Sequence, residues 1–383
     1  MKQPFHPVIG IIGGGQLGKM LIESSLPWNV QYNVLDPDAN ASCKAYAKTF
    51  INADLKDKEA IFKLAELSDI LTYEIEHVNT EALLELEQQG KVIIPSPKIL
   101  RIIQDKGIQK KFYLDHNLPT ANFSLVQKNE EWEEALSQIK GEKVVVKLCQ
   151  GGYDGKGVAI VDRSEILKGK FPFNGPCIVE EFISESREIA VLVCSNGIET
   201  LTWPCVEMHF DPTLHLVDLL FSPANLDKAT ENKACNIAVA AVKALNGKGV
   251  FAVELLLTSD GEILINEIAP RPHNSGHHTI EACITSQYEQ LNRILLNLPL
   301  GNTDLVKPSV MINLIGPDNI SGNYKITGLE DSMTEPGFYL HLYKKNETRP
   351  GRKMGHFTVI DDSILGAKNK ALKIKNTLKI SAI

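Results

Sequence analysis

The chain has 383 residues, 43% hydrophobic and 23% charged, the composition of an ordinary globular protein of about two or three domains. A formal charge of −7 and the lack of any long Lys/Arg run exclude a nucleic-acid groove built on general basicity, so basic residues that hold phosphate must act locally. Seven cysteines, at 43, 149, 177, 194, 205, 235 and 283, form no C-x-x-C pair and read as reduced, mostly buried thiols. Met1 to Pro7 lacks a signal-peptide layout and the apolar run after it is too short to span a bilayer, so a cytoplasmic protein without a membrane partner is expected.

In chain order, the apolar run Val8 to Ile12 breaks into Gly13-Gly-Gly-Gln-Leu-Gly18 and resumes with helical spacing to Ser25, which predicts strand, tight loop, helix. Strands are expected at Gln31 to Leu35 and Ile70 to Tyr73, with a helix over Lys58 to Ala65, so a parallel, doubly wound sheet occupies the first hundred or so residues. Pro95-Ser-Pro97 then introduces one helix carrying Ile99, Leu100, Ile103, Ile108 and Phe112. A small α+β unit follows, with a helix over Asn129 to Ile139 and strands Lys143 to Leu148, Val158 to Val161 and Cys177 to Glu181. A mixed sheet is predicted from Glu188 to Cys194, Glu199 to Trp203, Phe251 to Leu257 and Ile263 to Ile268, with a long helix over Ala229 to Leu245. The remainder reads as β-rich, with strands Val310 to Leu314, Phe338 to Tyr343 and His356 to Val359 and a final helix near Ser363 to Leu378. The fold class is α/β and α+β, with expected domains at 1–105, 106–183, 184–300 and 301–383.

The first glycine loop fits G-x-G-x-x-G, and its firm content is that backbone amides can approach an anion at a helix N-terminus. A phosphate, a dinucleotide pyrophosphate with Asp36 on the ribose, and a plain tight turn all fit it. The second, Gly151-Gly-Tyr-Asp-Gly-Lys-Gly157, joins two strands, so it reads as a hairpin lid over phosphates or as a long surface hairpin. Lys147, just before it, would need an anion if it faces inward, though alternation can equally turn it to solvent; Lys106 is a second candidate. The backbone of Ile178 to Ile183 can bind an adenine edge, with Glu188 for ribose hydroxyls. Glu254 and Glu267 each put a carboxylate into an apolar strand, and Thr258 to Glu262 is a turn between them. Their apposition would call for a cation such as Mg2+, with Asn266 as a further oxygen ligand. Two prolines stiffen the start of Ala269 to His277, where Arg271 is the best anion clamp; His277 and His278 read as helix-start or surface residues.

Lys147 with the glycine lid, Glu180 to Ile183, Glu254 and Asn266-Glu267, in that order, resemble the ATP-grasp superfamily. With Gly13 to Gly18, Ala269 to His277 and Arg349 to His356, nearly the whole chain is similar to the N5-carboxyaminoimidazole ribonucleotide synthetases of purine biosynthesis. The resemblance implies an ATP-dependent ligase, a homodimer, that carboxylates 5-aminoimidazole ribonucleotide with bicarbonate through carboxyphosphate, using ATP and Mg2+, for which Mn2+ can substitute. It places Lys106, Lys147, Gly152, Tyr153, Asp154, Gly155, Lys156, Gly157, Glu180, Glu181, Phe182, Ile183, Glu188, His209, Asn266 and Glu267 at ATP, and Glu254, Asn266 and Glu267 at the metal. It places Gly15, Gln16, Leu17, Glu74, Tyr153, Asp154, Arg271, His273, Asn274, Ser275, Lys345, Arg349, Arg352 and Lys353 at the ribonucleotide and the carboxylating species, with Arg271, His273 and Asp154 catalytic. The run Val206 to Phe210 is one residue shorter than the family's, which bears on His209, and Lys344 competes with Lys345. A formate-activating relative, an NAD-dependent dehydrogenase and a non-catalytic nucleotide sensor are the alternatives; the last should lack Glu254 or Glu267, and both are present.

Overall fold

A computed structural model describes residues 7–152, 157–210 and 217–383. Its first unit is a five-stranded, all-parallel sheet of order β3-β2-β1-β4-β5, made by β1 (Val8–Ile12), β2 (Gln31–Asp36), β3 (Thr49–Asn52), β4 (Ile70–Tyr73) and β5 (Val92–Ile93). Apolar runs buried on both faces explain the parallel pairing, since Ile9, Ile11, Ile12, Val34 and Leu35 are fully covered. Strand order reverses at β1, so the segments after β1, β2 and β4 meet in one crevice at the strands' carboxyl ends.

The expected single helix after Pro97 is two, Pro97–Ile103 and Lys106–Asp115. Asp105 causes the break: its side chain accepts from the N–H groups of Gly107 and Ile108 and starts the second helix. That cap sets Lys106 and Lys110 one turn apart on one face.

The second unit is a four-stranded sheet of order β6-β9-β7-β8, from β6 (Phe123–Val126), β7 (Lys143–Leu148), β8 (Val158–Asp162) and β9 (Cys177–Glu181). Its core of Trp132, Leu136, Val144, Val146 and Val179 is separate from the others, so the glycine-rich hairpin β7–β8 hangs on an independent platform. The largest sheet, nine-stranded, takes β10 (Arg187–Ser195), β11 (Thr200–Thr202), β12 (Val206–Phe210), β13 (Val217–Ser222), β14 (Gly249–Leu257), β15 (Ile263–Ala269), β16 (Ser309–Ile315), β18 (Phe338–Leu342) and β19 (Lys353–Ile360). The remaining strands, β17 (Tyr324–Thr327) and β20 (Lys379–Ala382), pair with each other.

Because β16 hydrogen-bonds to β13, the large sheet continues past residue 300, and the later strands and the helix Ile364–Thr377 share a hydrophobic cluster with Leu219 and Phe221 of β13. The first unit is fixed to this sheet by the helix Gln287–Leu295. Tyr288, Leu291 and Ile294 share a core with Ile9, Ile11 and Val34, and Asn292 accepts from Tyr32 Oη at 2.8 Å and donates to the Leu21 carbonyl at 2.8 Å. Among the described residues no helix is long and apolar enough to cross a membrane.

Candidate active site

Strands β14 and β15 form the expected hairpin, and its register sets Glu254 directly opposite Glu267. The register slips by one residue beside this pair, so Asn266 is left unopposed, which is how a bulge re-aims a side chain. Asn266 Oδ1 accepts from Lys147 Nζ at 2.8 Å. Lys106 Nζ bonds Glu267, and His273 Nε2 lies 3.6 Å from Glu254 Oε1. On β10, Glu188 and Ala190 alternate onto the face that carries Glu254, since Ala190 is the register partner of Glu254. Burial, then the charge of Glu267, pushes the Glu254 carboxyl up, whereas Lys106 above all holds Glu267 well down. Two such carboxylates stay ionised together only with a cation between them. The donor set therefore fits a divalent ion. Among the described residues no group of three or more His, Cys, Asp or Glu side chains is arranged to hold a metal ion.

Lys147 faces inward and is buried; its Nζ contacts Glu180 Oε2 at 2.8 Å. The other oxygen of Glu180 faces Lys110 at 3.0 Å, and Lys110 also donates to Thr120 Oγ1, which in turn donates to the Ile265 carbonyl at 2.8 Å. Burial alone would raise the Glu180 carboxyl, but Lys147 and Lys110 together hold it below the usual range; burial pulls the Lys110 ammonium down to about 8. The Glu180 carboxylate thus locks two lysines in place. Lys110 escaped the sequence reading, although its spacing of four from Lys106 on one helix was a usable signal.

At the other end, the loop after β1 lies against Glu74 from the end of β4. Glu74 accepts the N–H groups of Gly15 and Gly18, and Asp36 accepts that of Gly14 at 2.6 Å. Gly13 has φ +96°, which favours glycine, and a Cβ on Gly15 would stand 2.7 Å from Glu74 Oε1, so that carboxylate would have to shift. The chain's own carboxylates thus occupy three of the amides expected to meet a phosphate. The helix Gln16–Glu23 has no side-chain cap, and the first-turn amides of Gln16 and Leu17 have no intrahelical partner. Lys345 is half-buried and its charge is felt by Glu74, whereas Lys344 is exposed with φ +54°. Lys19 Nζ donates to the Leu342 carbonyl at 3.2 Å and Ser42 Oγ to that of Tyr343 at 2.6 Å, which fixes the end of β18 against the same unit. Arg349 is exposed, and Arg352 donates to the Glu347 carbonyl at 2.7 Å.

The loop after β15 bridges the two ends. Arg271 pairs with Glu76 at 3.1 Å, a contact between the loops after β15 and β4 that the sequence reading did not anticipate. Asn274 and Ser275, expected at the substrate, are buried. Asn274 exchanges two amide hydrogen bonds with Asn313 of β16, at 2.8 and 2.9 Å, and Ser275 Oγ lies 2.9 Å from His273 Nδ1, so both hold the loop's shape. His277 and His278 do stand at a helix start, but they are buried rather than on the surface. His209 sits at the rim, 57% exposed and 3.5 Å from Glu207. Tyr153, Asp154, Gly155 and Lys156 lie outside the described residues.

Below the loop, His277 bonds Tyr288 Oη at 3.0 Å, His356 bonds Tyr343 Oη at 2.8 Å, and the two imidazoles pack at 4.5 Å. Burial holds His277 and His356 well below their usual value and His278 down to about 4. Unfolded, these imidazoles protonate near pH 6.5; folded, they stay neutral, so stability is lost as pH falls from there toward the lowered values. The expected slope is about 1.4 kcal/mol per pH unit for each imidazole once the unfolded form is protonated. Urea unfolding across that window checks it, and a His356→Phe variant should show a shallower slope; equal slopes would count against these groups.

A platform carrying a two-lysine, one-carboxylate lock, set against paired acidic strands, fits the ATP-grasp class, and the ATP-grasp domain model matches residues 111–288. On either side, residues 7–104 match the ribonucleotide synthetase preATP-grasp domain and residues 309–370 the phosphoribosylaminoimidazole carboxylase C-terminal domain. The chain belongs to the N5-carboxyaminoimidazole ribonucleotide synthase family. It is 39% identical over 366 residues to the Bacillus subtilis synthase, covering 93% of each chain. The crystal structure of the Thermotoga maritima synthetase is 41% identical with a TM-score of 0.89, over 98% of this chain and 100% of that one. The Aspergillus clavatus synthase, solved with ADP and 5-aminoimidazole ribonucleotide, is 33% identical with a TM-score of 0.88, over 97% and 98%.

Proposed function

We propose that this chain catalyses ATP-dependent carboxylation of 5-aminoimidazole ribonucleotide by bicarbonate, giving N5-carboxyaminoimidazole ribonucleotide, ADP and phosphate in purine biosynthesis. The observation that carries the chemistry is the register of Glu254 against Glu267, with Lys106 and Lys147 beside them. Mg2+, or Mn2+ in its place, would be held by the two carboxylates and would neutralise charge on the transferring phosphoryl group. Lys147 meets the phosphates, with Glu181 to Ile183 and Glu188 at the adenosine. A bicarbonate oxygen attacks the γ-phosphorus and ADP departs. The resulting carboxyphosphate is attacked at carbon by the exocyclic amine, phosphate leaves, and the amine loses a proton. Arg271 and His273, carried by the stiff loop between the two ends, orient the carboxyl species; preorganised donors of this kind cost no rearrangement during reaction.

For the ribonucleotide, the amides of Gln16 and Leu17 with Lys345, Arg352 and Lys353 take the 5′-phosphate, and Glu74 leaves its amides to bind the substrate. A homodimeric, cytoplasmic enzyme is part of the same reading and rests on family resemblance. The test is ADP release with bicarbonate, with and without 5-aminoimidazole ribonucleotide. Release that depends on that amine is expected; amine-independent release, or turnover with formate instead of bicarbonate, would overturn the assignment.

A further inference from the structure

Thirty residues apart in the chain, Cys205 and Cys235 bring their Sγ atoms to 3.9 Å, a van der Waals contact between two free thiols. Cys205 is buried in the link from β11 to β12, and its carbonyl accepts the Ala224 N–H at 2.8 Å, which fixes its backbone. Cys235 lies on the helix Lys228–Ala244 and is partly open to solvent. The other five cysteines are buried. One thiol of the pair is therefore reachable by a small reagent, and the other stands behind it as the nearest sulfur.

We propose that Cys205 and Cys235 form an oxidation-sensitive dithiol that a hydroperoxide converts to a disulfide tying the helix Lys228–Ala244 to the start of β12. In the first step the Cys235 thiolate attacks the peroxide oxygen: an S–O bond forms, the O–O bond breaks, and the departing oxygen takes up a proton as water or alcohol. In the second the Cys205 sulfur attacks the sulfenic sulfur of Cys235, the S–O bond breaks, and water leaves with the Cys205 proton. Two thiols and one hydroperoxide thus give one disulfide, one water and one water or alcohol. The electrostatics agree with this division of roles. Contact with Cys205 holds the Cys235 thiol below its ordinary value, while contact with Cys235, then burial, pushes the Cys205 thiol up, with Glu231 and Lys228 as the charged groups facing both. Burial raises each of the other five. Closing the bridge shortens the sulfur separation to about 2.05 Å, a movement left to the Cys235 side chain on its solvent side.

The cross-link would bear on the nucleotide end, because β12 carries Glu207 and His209 and pairs with β10 through Met208 and Glu188. The test treats the native full-length protein with graded hydrogen peroxide near neutral pH, then alkylates and maps peptides. The expected result is that the seven free thiols fall by two before any other cysteine reacts, with Cys205 and Cys235 recovered in one linked peptide that dithiothreitol separates. In Cys205→Ser protein, Cys235 should stop as a sulfenic acid that dimedone traps. If wild-type Cys235 advances to sulfinic acid while Cys205 still alkylates, or if other cysteines react first, the proposal is overturned.

Discussion

Glu267→Gln is expected to lower ADP release on the order of 1000-fold or more, the scale of losing a metal ligand and its charge at a phosphoryl-transfer site. The change is isosteric, so the strand pairing with Glu254 has no steric reason to move. It removes one of the two carboxylates that would hold the ion and leaves the Lys106 ammonium facing a neutral amide. An ammonium that has lost its partner is drawn to the nucleotide phosphates, so nucleotide binding should weaken far less than turnover. Steady-state ADP release and ADP calorimetry on one preparation separate the two effects. Glu262→Gln, in the exposed turn of the same hairpin, should behave as wild type. Turnover of the Glu267→Gln protein within a few-fold of wild type would remove the metal role from this strand.

Arg271→Ala is expected to lower product formation by roughly 100- to 1000-fold, the usual scale for removing one preorganised donor from a developing anion. The KM for ATP should change little. Arg271 pairs with Glu76 and donates to the Pro272 carbonyl, and neither belongs to the lysine lock around Glu180. Its loss also opens the contact between the loops after β15 and β4, so carboxyphosphate should escape to water. The ratio of carboxylated product to ADP should therefore fall together with the rate. A variant that loses rate but keeps a one-to-one ratio would assign Arg271 to the phosphoryl-transfer step instead.

How far the site could be read from sequence depended on whether its signal was local. Glu254 and Glu267 could be found because a charged residue in an apolar strand stands out, and a short turn between two strands forces them into a hairpin. Lys147 was ambiguous, since alternation does not say which face of a strand is covered; only the packing of β7 against β9, which puts Glu180 beside it, turns it inward. Asn274 and Ser275 lay in a loop rich in donors and looked like ligand contacts. Asn313, a residue 39 positions away that takes up the amide of Asn274, is not a local signal.

Sequence alone determined the alternation of strands and helices in the first unit, the glycine hairpin, the acidic strand pair and, through motif order, the family. These depend on periodicity and on residue chemistry within a few positions, where backbone geometry leaves little choice. Tertiary structure decided how these groups are partnered: Glu74 and Asp36 accept from three amides of the first glycine loop, Glu180 pairs with Lys110 and Lys147, and one sheet carries the chain past residue 300. The reason is physical. A buried polar group is satisfied by whatever partner the fold brings within hydrogen-bonding distance, and in each of these cases that partner lies tens of residues away or more, on another element.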